Sequence, residues 1–434
     1  MPTILQCHVM AKPSSSACNL DCDYCFYLEK EHLYPEQNQQ RMSDETLERY
    51  VQQYIESHSS IDVEFTWQGG EPTLMGLDFF KKAIALQNKY KQHYRIHNSL
   101  QTNGLLLNDQ WCEFLKAEGF LVGISIDGPE RFHDRYRTNR VGKGSHAKVM
   151  ASIERLKQHR VPFNTLTVIN SDNVHHPIEV YDFLVSIGSE FIQFIPIVER
   201  QACQPTEEGL FLISPEHDIS AEVTDWSVPP RAFGNFLNTI FDKWVKQDVG
   251  KVFVNLFDAT LATWCNEPPG LCVQAQTCGR AFAMEANGDV YNCDHFVYPE
   301  HMLGNVHDTT IADMNQLEQV DQFGNGKRDQ LNKDCQRCEY SFACNGGCPK
   351  HRFSRSKSGL PGHNYFCEGF YHFFKHSDKA MRKMRNLLSQ GRPASEIMPR
   401  RAAQLVSYKP ERIARNAPCP CGTGKKSKRC CYTI

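Results

Sequence analysis

Short apolar runs alternate with amphipathic segments from residue 8 to about residue 198 of the chain. The apolar runs are rich in β-branched and aromatic residues, which is typical of β-strands, and the amphipathic segments are typical of helices. This alternation predicts βα units that build a parallel sheet. Six strands are predicted, at His8–Ala11, Val63–Trp67, His97–Gln101, Leu121–Ile126, Phe163–Ile169 and Phe191–Ile197.

The first predicted helix begins at Ser43, where acidic residues follow a capping side chain and apolar residues then recur on one face. Further helices are predicted at residues 77–93, 145–160, 174–187 and 231–247. Six consecutive βα units fit either a doubly wound sheet or an incomplete barrel. In both architectures the reactive site lies at the carboxyl ends of the strands, so the residues that follow each strand are candidates for chemistry.

The composition changes along the chain and indicates several parts. The 434 residues correspond to about two or three domains at roughly 150 residues each. Residues 199–232 are richer in Pro, Glu and Ser, the cysteine density rises further on, and three prolines interrupt residues 393–410. We expect four parts: an α/β part at 1–235, a bridging region with a cysteine-rich domain at 236–375, a helical tail and linker at 376–415, and a small module at 416–434.

The charge balance and the hydropathy exclude several classes of partner. The chain has 48 Lys and Arg against 50 Asp and Glu, a net charge of −2, so no overall positive field attracts nucleic acid. No apolar run approaches the roughly 18 residues that a membrane span requires. The first residues also lack the basic and apolar stretches of a signal peptide. We therefore expect a cytoplasmic protein without a membrane span and without a nucleic-acid partner.

Cysteine is unusually frequent for that compartment, with 19 residues in tight groups. Since cytoplasmic thiols stay reduced, metal binding is the leading explanation. Cys18, Cys22 and Cys25 have the spacing C-x3-C-x2-C directly after the first predicted strand. Three thiolates can hold three corners of a [4Fe-4S] cluster and leave one iron open to an exchangeable ligand. The alternatives are a zinc site completed by His8 or His32, and thiols that bind no metal.

This cysteine motif resembles that of the radical S-adenosylmethionine (SAM) enzymes, in which SAM chelates the open iron. The resemblance extends to residues 67–72 after the second predicted strand, whose Gly-Gly-Glu-Pro is by itself an ordinary turn, and to residues 125–129 after the fourth. It implies a partial (β/α)6 TIM-type barrel and a set of residues that contact SAM. That set is Tyr24, Gly70, Ser125, Arg137 and Val198.

Eight further cysteines lie between residues 272 and 367, enough for two four-ligand metal sites. Their spacing leaves zinc and iron-sulfur clusters both open, because four thiolates suit either metal. The segment resembles the SPASM extension of peptide-modifying radical SAM enzymes, which implies two auxiliary [4Fe-4S] clusters. By that resemblance one cluster takes Cys272, Cys278, Cys293 and Cys348, and the other takes Cys335, Cys338, Cys344 and Cys367.

Within that group the match narrows to the anaerobic sulfatase-maturating enzymes and covers roughly residues 6–375. The shared stretches are Lys12–Ser15, Cys22–Tyr27, Gln68–Leu74, Asn98–Gly104 and Asn287–Asp294. The resemblance implies oxidation of a Cys or Ser side chain, in a C/S-x-P-x-R motif of an unfolded or nascent sulfatase, to Cα-formylglycine. The partners of that activity are the sulfatase polypeptide and a reducing electron donor such as flavodoxin or ferredoxin.

Asp294 follows the auxiliary ligand Cys293 and matches the proton acceptor of that family. From the residues alone, a helix cap or a hydrogen bond to the cluster loop is the simpler role for this carboxylate. Four cysteines remain outside the predicted metal sites, and we interpret them as packing or incidental residues. They are Cys7, Cys112, Cys203 and Cys265.

The last 19 residues carry Cys419, Cys421, Cys430 and Cys431 and are too few to build a hydrophobic core. One tetrahedral zinc ion would supply the missing folding energy. The segment resembles the SEC-C zinc module, which implies a small zinc knuckle with a possible docking partner. The alternative is an unstructured basic tail.

Two other functions share part of this pattern. A sister SPASM enzyme that forms thioether or carbon-carbon links in another peptide would keep all eleven iron-ligating cysteines, and only the finer motifs argue against it. A non-enzymatic multi-zinc adaptor would share the cysteines but has no use for Gln68–Pro72. Analysis of iron and acid-labile sulfide separates an adaptor from an enzyme.

Overall fold

The computed structural model describes residues 6–33, 41–207, 209–213, 216 and 220–399. The chain divides into two units, Met1–Ile397 and Met398–Ile434. Most of the second unit, and with it the four C-terminal cysteines predicted to bind zinc, lies outside the described residues. None of the described helices is long and apolar enough to cross a membrane.

The described strands are β1 (His8–Ala11), β2 (Asp21–Cys22), β3 (Asp62–Trp67), β4 (Arg95–Thr102), β5 (Leu121–Ser125), β6 (Arg137–Thr138), β7 (Phe163–Ile169), β8 (Phe191–Pro196), β9 (Arg200–Ala202), β10 (Leu212–Ile213), β11 (Ala221–Val223), β12 (Phe253–Val254), β13 (Ala281–Met284), β14 (Asp289–Tyr291) and β15 (Met302–Asn305).

The described α-helices are α1 (Asp44–Glu56), α2 (Leu77–Tyr90), α3 (Asp109–Ala117), α4 (Glu130–Tyr136), α5 (His146–Gln158), α6 (Pro177–Ser186), α7 (Pro230–Gln247), α8 (Asn255–Trp264), α9 (Ile311–Met314), α10 (Glu318–Asp329), α11 (Lys333–Gln336), α12 (Ser341–Cys344) and α13 (Cys367–Ser389).

Ten strands form one sheet in the order β12-β8-β7-β5-β4-β3-β1-β13-β14-β15. All neighbours from β12 to β13 are parallel, and β14 and β15 are antiparallel additions at one edge. The six predicted strands are β1, β3, β4, β5, β7 and β8, and they lie side by side in chain order. A doubly wound sheet reverses its order at a switch point, so the unreversed order confirms the partial (β/α)6 barrel.

The outer face of this sheet is buried beneath helices. Tyr50 on α1 packs against Phe65 and Trp67 of β3, and Phe80 on α2 packs against the other side of Trp67. The predicted cap of α1 is confirmed, because the Ser43 hydroxyl accepts a hydrogen bond from the Thr46 amide at 3.0 Å. The strand residues that point outward, towards the helices, are apolar because they are buried against these rings.

The inner face of the sheet is only half-buried. Successive strand residues point to opposite faces, so the neighbours of the helix-packed residues point inward. The polar residues among them are Thr66, Ser99, Gln101, Ser125 and Gln193, all of intermediate exposure, whereas Val168 of β7 is buried against Tyr24. A polar and partly open inner face is suited to a polar ligand rather than to a dry core.

The cysteine-rich region completes the same sheet. Strand β13 pairs with β1 in parallel, with His8 opposite Ala281 and Ala11 opposite Met284. The carboxyl ends of these two strands therefore lie together, although they are separated by more than half of the chain. Residues that follow β13 are placed beside the loop that follows β1, where the first three cysteines lie.

Two of the expected part boundaries fall inside helices. Residues 235 and 236 lie within α7, and residues 375 and 376 lie within α13, which begins at Cys367 instead of near residue 376. The two helices meet at glycines, since a side chain on Gly369 would come within 2.3 Å of the Pro230 carbonyl oxygen. Neither position is a break between separately packed parts, and the division into four parts by function stays a prediction.

Candidate active site at the carboxyl ends of the strands

The first three cysteines lie in the loop after β1, as the sequence predicts. Cys22 lies in β2, which pairs with β6 so that Cys22 is opposite Arg137. A backbone hydrogen bond of 2.9 Å from Cys25 to Cys22 tightens the loop. Burial raises the pKa of Cys18 to about 11 and that of Cys22 to about 12, so metal binding must displace the thiol protons.

Gly70 holds the end of β3 directly against this loop. Its amide donates to the Ser15 carbonyl at 2.7 Å, and a β-carbon at this position would lie 2.2 Å from the Ala17 carbonyl oxygen. Only glycine allows this approach. The structure thus gives Gly70 a packing role beside Cys18, and its predicted contact with SAM stays a prediction.

Gly70→Ala is expected to displace the cysteine loop, because the new methyl group meets backbone rather than a movable side chain. We expect a loss of about 1–3 kcal/mol in the free energy of unfolding and a loss of metal from the first site. The matched control is Gly76→Ala, where nothing lies within 4 Å and only the φ of +82° causes strain. Denaturant unfolding and iron analysis check the prediction, and equal behaviour of the two variants would contradict it.

Glu71 is fully buried and joins the ends of β3 and β4. One carboxylate oxygen accepts from the Thr102 hydroxyl at 2.7 Å, and the other accepts from the Asn103 amide at 2.7 Å. The side-chain amide of Asn103 in turn points to the Cys18 sulfur at 3.7 Å and donates to Asn19 at 2.7 Å. The carboxylate therefore positions the first cysteine through Asn103, a role that the sequence analysis did not assign.

Tyr24 and Arg137, two of the predicted SAM contacts, meet at Asp127. The Arg137 guanidinium donates to the Asp127 carboxylate at 3.0 Å, and the Tyr24 hydroxyl donates to the same oxygen. The second oxygen of Asp127 accepts from the Val168 amide at 2.9 Å. All these polar groups are buried, so the loss of Asp127 would leave an unpaired buried charge. In the sequence, Asp127 belongs to the motif at residues 125–129, which gives no sign of these two partners.

The other two predicted SAM contacts have different surroundings. Ser125 is half-buried at the end of β5, on the inner face of the sheet and two residues before Asp127. Val198 follows β8 and is buried. Its neighbour Ile197, rather than Val198, packs with Tyr24 in an apolar cluster that contacts Cys22. The predicted contacts of Ser125 and Val198 with SAM stay predictions.

The eight cysteines of the second region are brought together in the two predicted groups. Burial is the largest cause that raises the pKa of Cys293, and the charge of Cys348 is the next. Burial also raises the pKa of Cys348 to about 12, and there the charge of Cys272 is the next cause. In the other group, burial and then Cys344 and Cys335 raise the pKa of Cys367 to about 12. For Cys293, Cys348 and Cys367, the first charge interaction that raises the pKa thus comes from a member of the same predicted group.

The described cysteines do not form a compact three-ligand site. Tetrahedral zinc with Zn–S bonds of about 2.3 Å brings its ligand sulfurs within about 4 Å of one another. Among the described residues, no three cysteine or histidine ligand atoms that include a cysteine lie within 4.8 Å of one another. Neither His8 nor His32 completes a compact site with the first three cysteines. Three thiolates in the first loop and two sets of four in the second region are donor sets that a four-iron cluster uses.

Asp294 lies beside one of these groups and is paired with a lysine. The Lys12 ammonium, which is buried after β1, donates to the Asp294 carboxylate and lies 3.5 Å above the ring of Tyr27. Burial, the largest single cause, raises the pKa of Asp294, but Lys12, His295 and Lys350 together lower it by more, so the pKa lies below its usual value. The carboxylate is therefore ionised at neutral pH and keeps 19% of its side chain exposed, as a proton acceptor requires.

The contacts of Asp294 do not match the role of a helix cap. It is the first residue of a short 3-10 helix, Asp294–Phe296, whose cap residue is Cys293 and makes no side-chain cap hydrogen bond. Behind it, the buried Glu285 accepts from the hydroxyls of Ser15 and Tyr27 and holds the tyrosine ring beneath Lys12. Lys12 and Tyr27 belong to shared sequence stretches, but nothing in those stretches indicates that they lie at Asp294.

Comparison with family models gives three matches along the chain. Residues 13–184 match the radical SAM superfamily, residues 272–339 match an iron-sulfur cluster-binding domain named SPASM, and residues 415–433 match the SEC-C motif. The three matches fall on the partial barrel, on the second cysteine region and on the C-terminal cysteines.

Two characterised relatives and one solved structure cover nearly the whole catalytic region. A serine-type anaerobic sulfatase-maturating enzyme of Bacteroides thetaiotaomicron is 48% identical over 389 residues, which are 89% of this chain and 94% of the relative. A cysteine-type enzyme of Clostridium perfringens is 32% identical over 376 residues, 85% of this chain and 95% of the relative. A structure of anSMEcpe with bound AdoMet and the Cp18Cys peptide superposes with a TM-score of 0.76, at 31% identity, over 88% of this chain and 99% of that one.

Proposed function

The chain belongs to the anaerobic sulfatase-maturating enzymes, and from this we propose that it oxidises a Cys or Ser side chain in a C/S-x-P-x-R motif of a sulfatase to Cα-formylglycine. The family consists of radical SAM enzymes with a SPASM domain. The observation that carries the proposal is the ionised Asp294, paired with Lys12 and adjacent to a predicted cluster ligand. The substrate is an unfolded or nascent sulfatase, since its reacting side chain must reach this carboxylate.

The cofactors that we propose are SAM, three [4Fe-4S] clusters and one zinc ion in the C-terminal module. Cys18, Cys22 and Cys25 would hold the cluster that binds SAM, and the two groups of four cysteines would hold the auxiliary clusters. When bound, SAM and these clusters supply the radical that removes a hydrogen atom from the substrate Cβ and the acceptor for the second electron. The match of residues 272–339 to an iron-sulfur cluster-binding domain supports the auxiliary clusters.

The residues of the chain position the reactants and accept the proton. Asp294 takes the proton from the substrate thiol or hydroxyl, so that loss of one hydrogen atom, one proton and one electron leaves a thioaldehyde or an aldehyde. Hydrolysis of the thioaldehyde then gives the same aldehyde. Lys12 holds the carboxylate in place and ionised before the substrate arrives. The inner face of the sheet, with Ser125, Gln101 and Gln193, is the surface on which we place SAM.

Two peptides that differ only in carrying Cys or Ser at the reacting position test this function. We expect mass spectrometry, after anaerobic incubation with enzyme, SAM and reductant, to detect formylglycine in the Ser peptide at least. The higher identity to a serine-type relative, 48% against 32% for a cysteine-type one, makes Ser the first choice. A cross-linked product without aldehyde would assign the chain to a sister reaction instead.

Metal analysis is expected to find about 12 iron atoms and one zinc ion per chain after anaerobic reconstitution, with sulfide equal to iron. Removal of residues 416–434 should lose the zinc and keep the iron, because Cys419, Cys421, Cys430 and Cys431 are separate in sequence from the other ligands. Zinc at the eleven remaining cysteines, with negligible sulfide and no SAM cleavage, would contradict the enzyme assignment.

The proposed location and partners follow from this chemistry. We place the enzyme in the cytoplasm, where the 15 free cysteines of the described chain stay reduced. A flavodoxin or ferredoxin is the proposed reductant of the first cluster. The SEC-C module is proposed to dock the enzyme to a partner without taking part in catalysis.

A further inference from the structure

A small antiparallel sheet follows β8 of the partial barrel. Its three strands lie in the order β10-β9-β11, and β9 begins at Arg200, directly after Glu199. The Glu199 carboxylate pairs with Lys350, and the charge of Lys350 helps to lower the pKa of Asp294. The small sheet therefore begins close to the carboxylate that we propose as the proton acceptor.

One edge of the small sheet is closed by a side chain. The Glu29 carboxylate accepts hydrogen bonds from the Phe211 amide at 2.9 Å and from the Leu212 amide at 2.7 Å. These amides lie at the start of β10, the outer strand on this side. An edge strand exposes unpaired backbone groups that attract another strand, and the carboxylate takes up two of the donors here.

The opposite edge, along β11, is open. The Thr224 amide donates to the Glu199 carbonyl at 3.2 Å, and β11 continues from there in regular register with β9. Bonded and non-bonded pairs alternate in an antiparallel ladder, so the backbone groups of Glu222 face β9 and those of Ala221 and Val223 face away. Within the described ranges no residue forms a hydrogen bond to these outward amides and carbonyls.

The open edge is accessible and continues an apolar face. The Val223 side chain is 37% exposed, and Glu222 beside it is also exposed. Alternate residues of a strand share a face, so Ala221 and Val223 lie on the same face of the small sheet as the buried Ala202 and Ile213. An added strand would find free backbone partners and an apolar neighbour.

We propose that an extended segment of the sulfatase polypeptide, flanking the C/S-x-P-x-R motif, adds to β11 as a fourth strand of the small sheet. The inference rests on the proposed function, whose substrate is an unfolded or nascent sulfatase. Such a chain has its backbone donors and acceptors free, and strand addition uses them without requiring a particular sequence. The proline of the motif has no amide hydrogen, so the paired residues lie in the flank.

The shortness of the edge favours the substrate over a second copy of the chain. A stable interface between proteins buries about 1,200–2,000 Å², which pairing along three residues does not supply. A sulfatase segment is already held at its reacting residue, so a few added hydrogen bonds act at a high effective concentration. Ala221 and Val223 together offer two amide donors and two carbonyl acceptors for this purpose.

A short and a long Ser peptide test the proposal on the full reconstituted enzyme. The short peptide contains the motif alone, and the long one adds about eight residues of natural sulfatase sequence on each side. We expect kcat/KM to be about tenfold higher for the long peptide, mainly through a lower KM, because the flank adds hydrogen bonds. Equal values for the two peptides would overturn the proposal. Absence of formylglycine from both would instead defeat the proposed function.

Val223→Pro removes an outward donor and obstructs the approach of a strand, but it keeps the ladder bonds to β9. We expect the ratio of kcat/KM, long peptide over short, to fall from about tenfold to about one. The ratio cancels any effect of the variant on the chemistry. The matched control is Val223→Thr, which keeps the amide and a branched side chain and should keep the ratio within about twofold of wild type. An equal fall in both variants would assign the effect to the side chain and contradict strand addition.

Methylation of single backbone amides in the long peptide tests the same contact without an enzyme variant. Every second residue of a strand turns its amide to the same neighbour, so kcat/KM should fall at alternate positions of one flank. Equal effects at consecutive positions would argue against a strand. A wild-type dimer that Val223→Pro dissociates, with the peptide ratio unchanged, would assign this edge to a second copy and overturn the proposal.

Discussion

Cys22→Ala is expected to abolish the reductive cleavage of SAM. Two remaining thiolates cannot hold a cluster in the pose that leaves one iron open to SAM, and Cys22 is also the residue that β2 pairs with Arg137. Formation of 5'-deoxyadenosine, measured by chromatography after anaerobic reduction with dithionite, should fall below detection. We expect the same result for Cys18→Ala and Cys25→Ala, since the three thiolates hold one cluster.

Iron content and a matched cysteine variant make the Cys22 result specific. The iron of Cys22→Ala should fall from about 12 to about 8 atoms per chain, because the auxiliary ligands lie in another region. Cys203 is exposed and belongs to none of the predicted metal sites, so Cys203→Ala should keep both the iron and the SAM cleavage of wild type. Normal 5'-deoxyadenosine formation by Cys22→Ala would show that this loop does not hold the cluster that binds SAM.

The strands and the first cysteine site could be predicted from sequence because both depend on residues that are close together along the chain. The alternation that predicts Phe163–Ile169 is matched residue for residue by β7. The three cysteines lie within eight consecutive residues, so their spacing alone places them in one loop. Family resemblance adds the auxiliary groups, whose members are spread over nearly 100 residues and are joined only by the fold.

The partners of the site residues could not be predicted in this way. Lys12 and Asp294 are 282 residues apart and meet because β13 pairs with β1, which no local pattern indicates. Asp127 is likewise an ordinary strand-end residue in the sequence, and only the fold turns Tyr24 and Arg137 towards it. A buried carboxylate needs hydrogen-bond or ion-pair partners. The polar residues at the strand ends are therefore the sequence feature that indicates such contacts, although they do not say which residues meet.

The helix at the end of the catalytic region illustrates a different limit. The charged positions after residue 375 suggest a separate tail, yet α13 begins at Cys367 and packs through Phe370 and Phe373 against aromatic residues of α7. Cys367 is both the first residue of this helix and a predicted ligand of the second auxiliary group. The helix is therefore anchored at the cluster region and cannot be divided there without loss of core.

Asp294→Asn is expected to separate SAM cleavage from product formation. The amide keeps the shape of the carboxylate but cannot take the proton whose loss completes the oxidation, so formylglycine formation should fall about 10²- to 10⁴-fold. Cleavage of SAM should continue at a substantial fraction of the wild-type rate, because the cysteines of the first loop and Glu71 are untouched. The control is Asp308→Asn, an exposed change in the same region that should alter neither rate. Parallel assays of 5'-deoxyadenosine and of formylglycine measure the two steps. Wild-type product formation by Asp294→Asn would reduce this carboxylate to a structural partner of Lys12, whereas equal loss of both products would place it in SAM binding instead of in proton transfer.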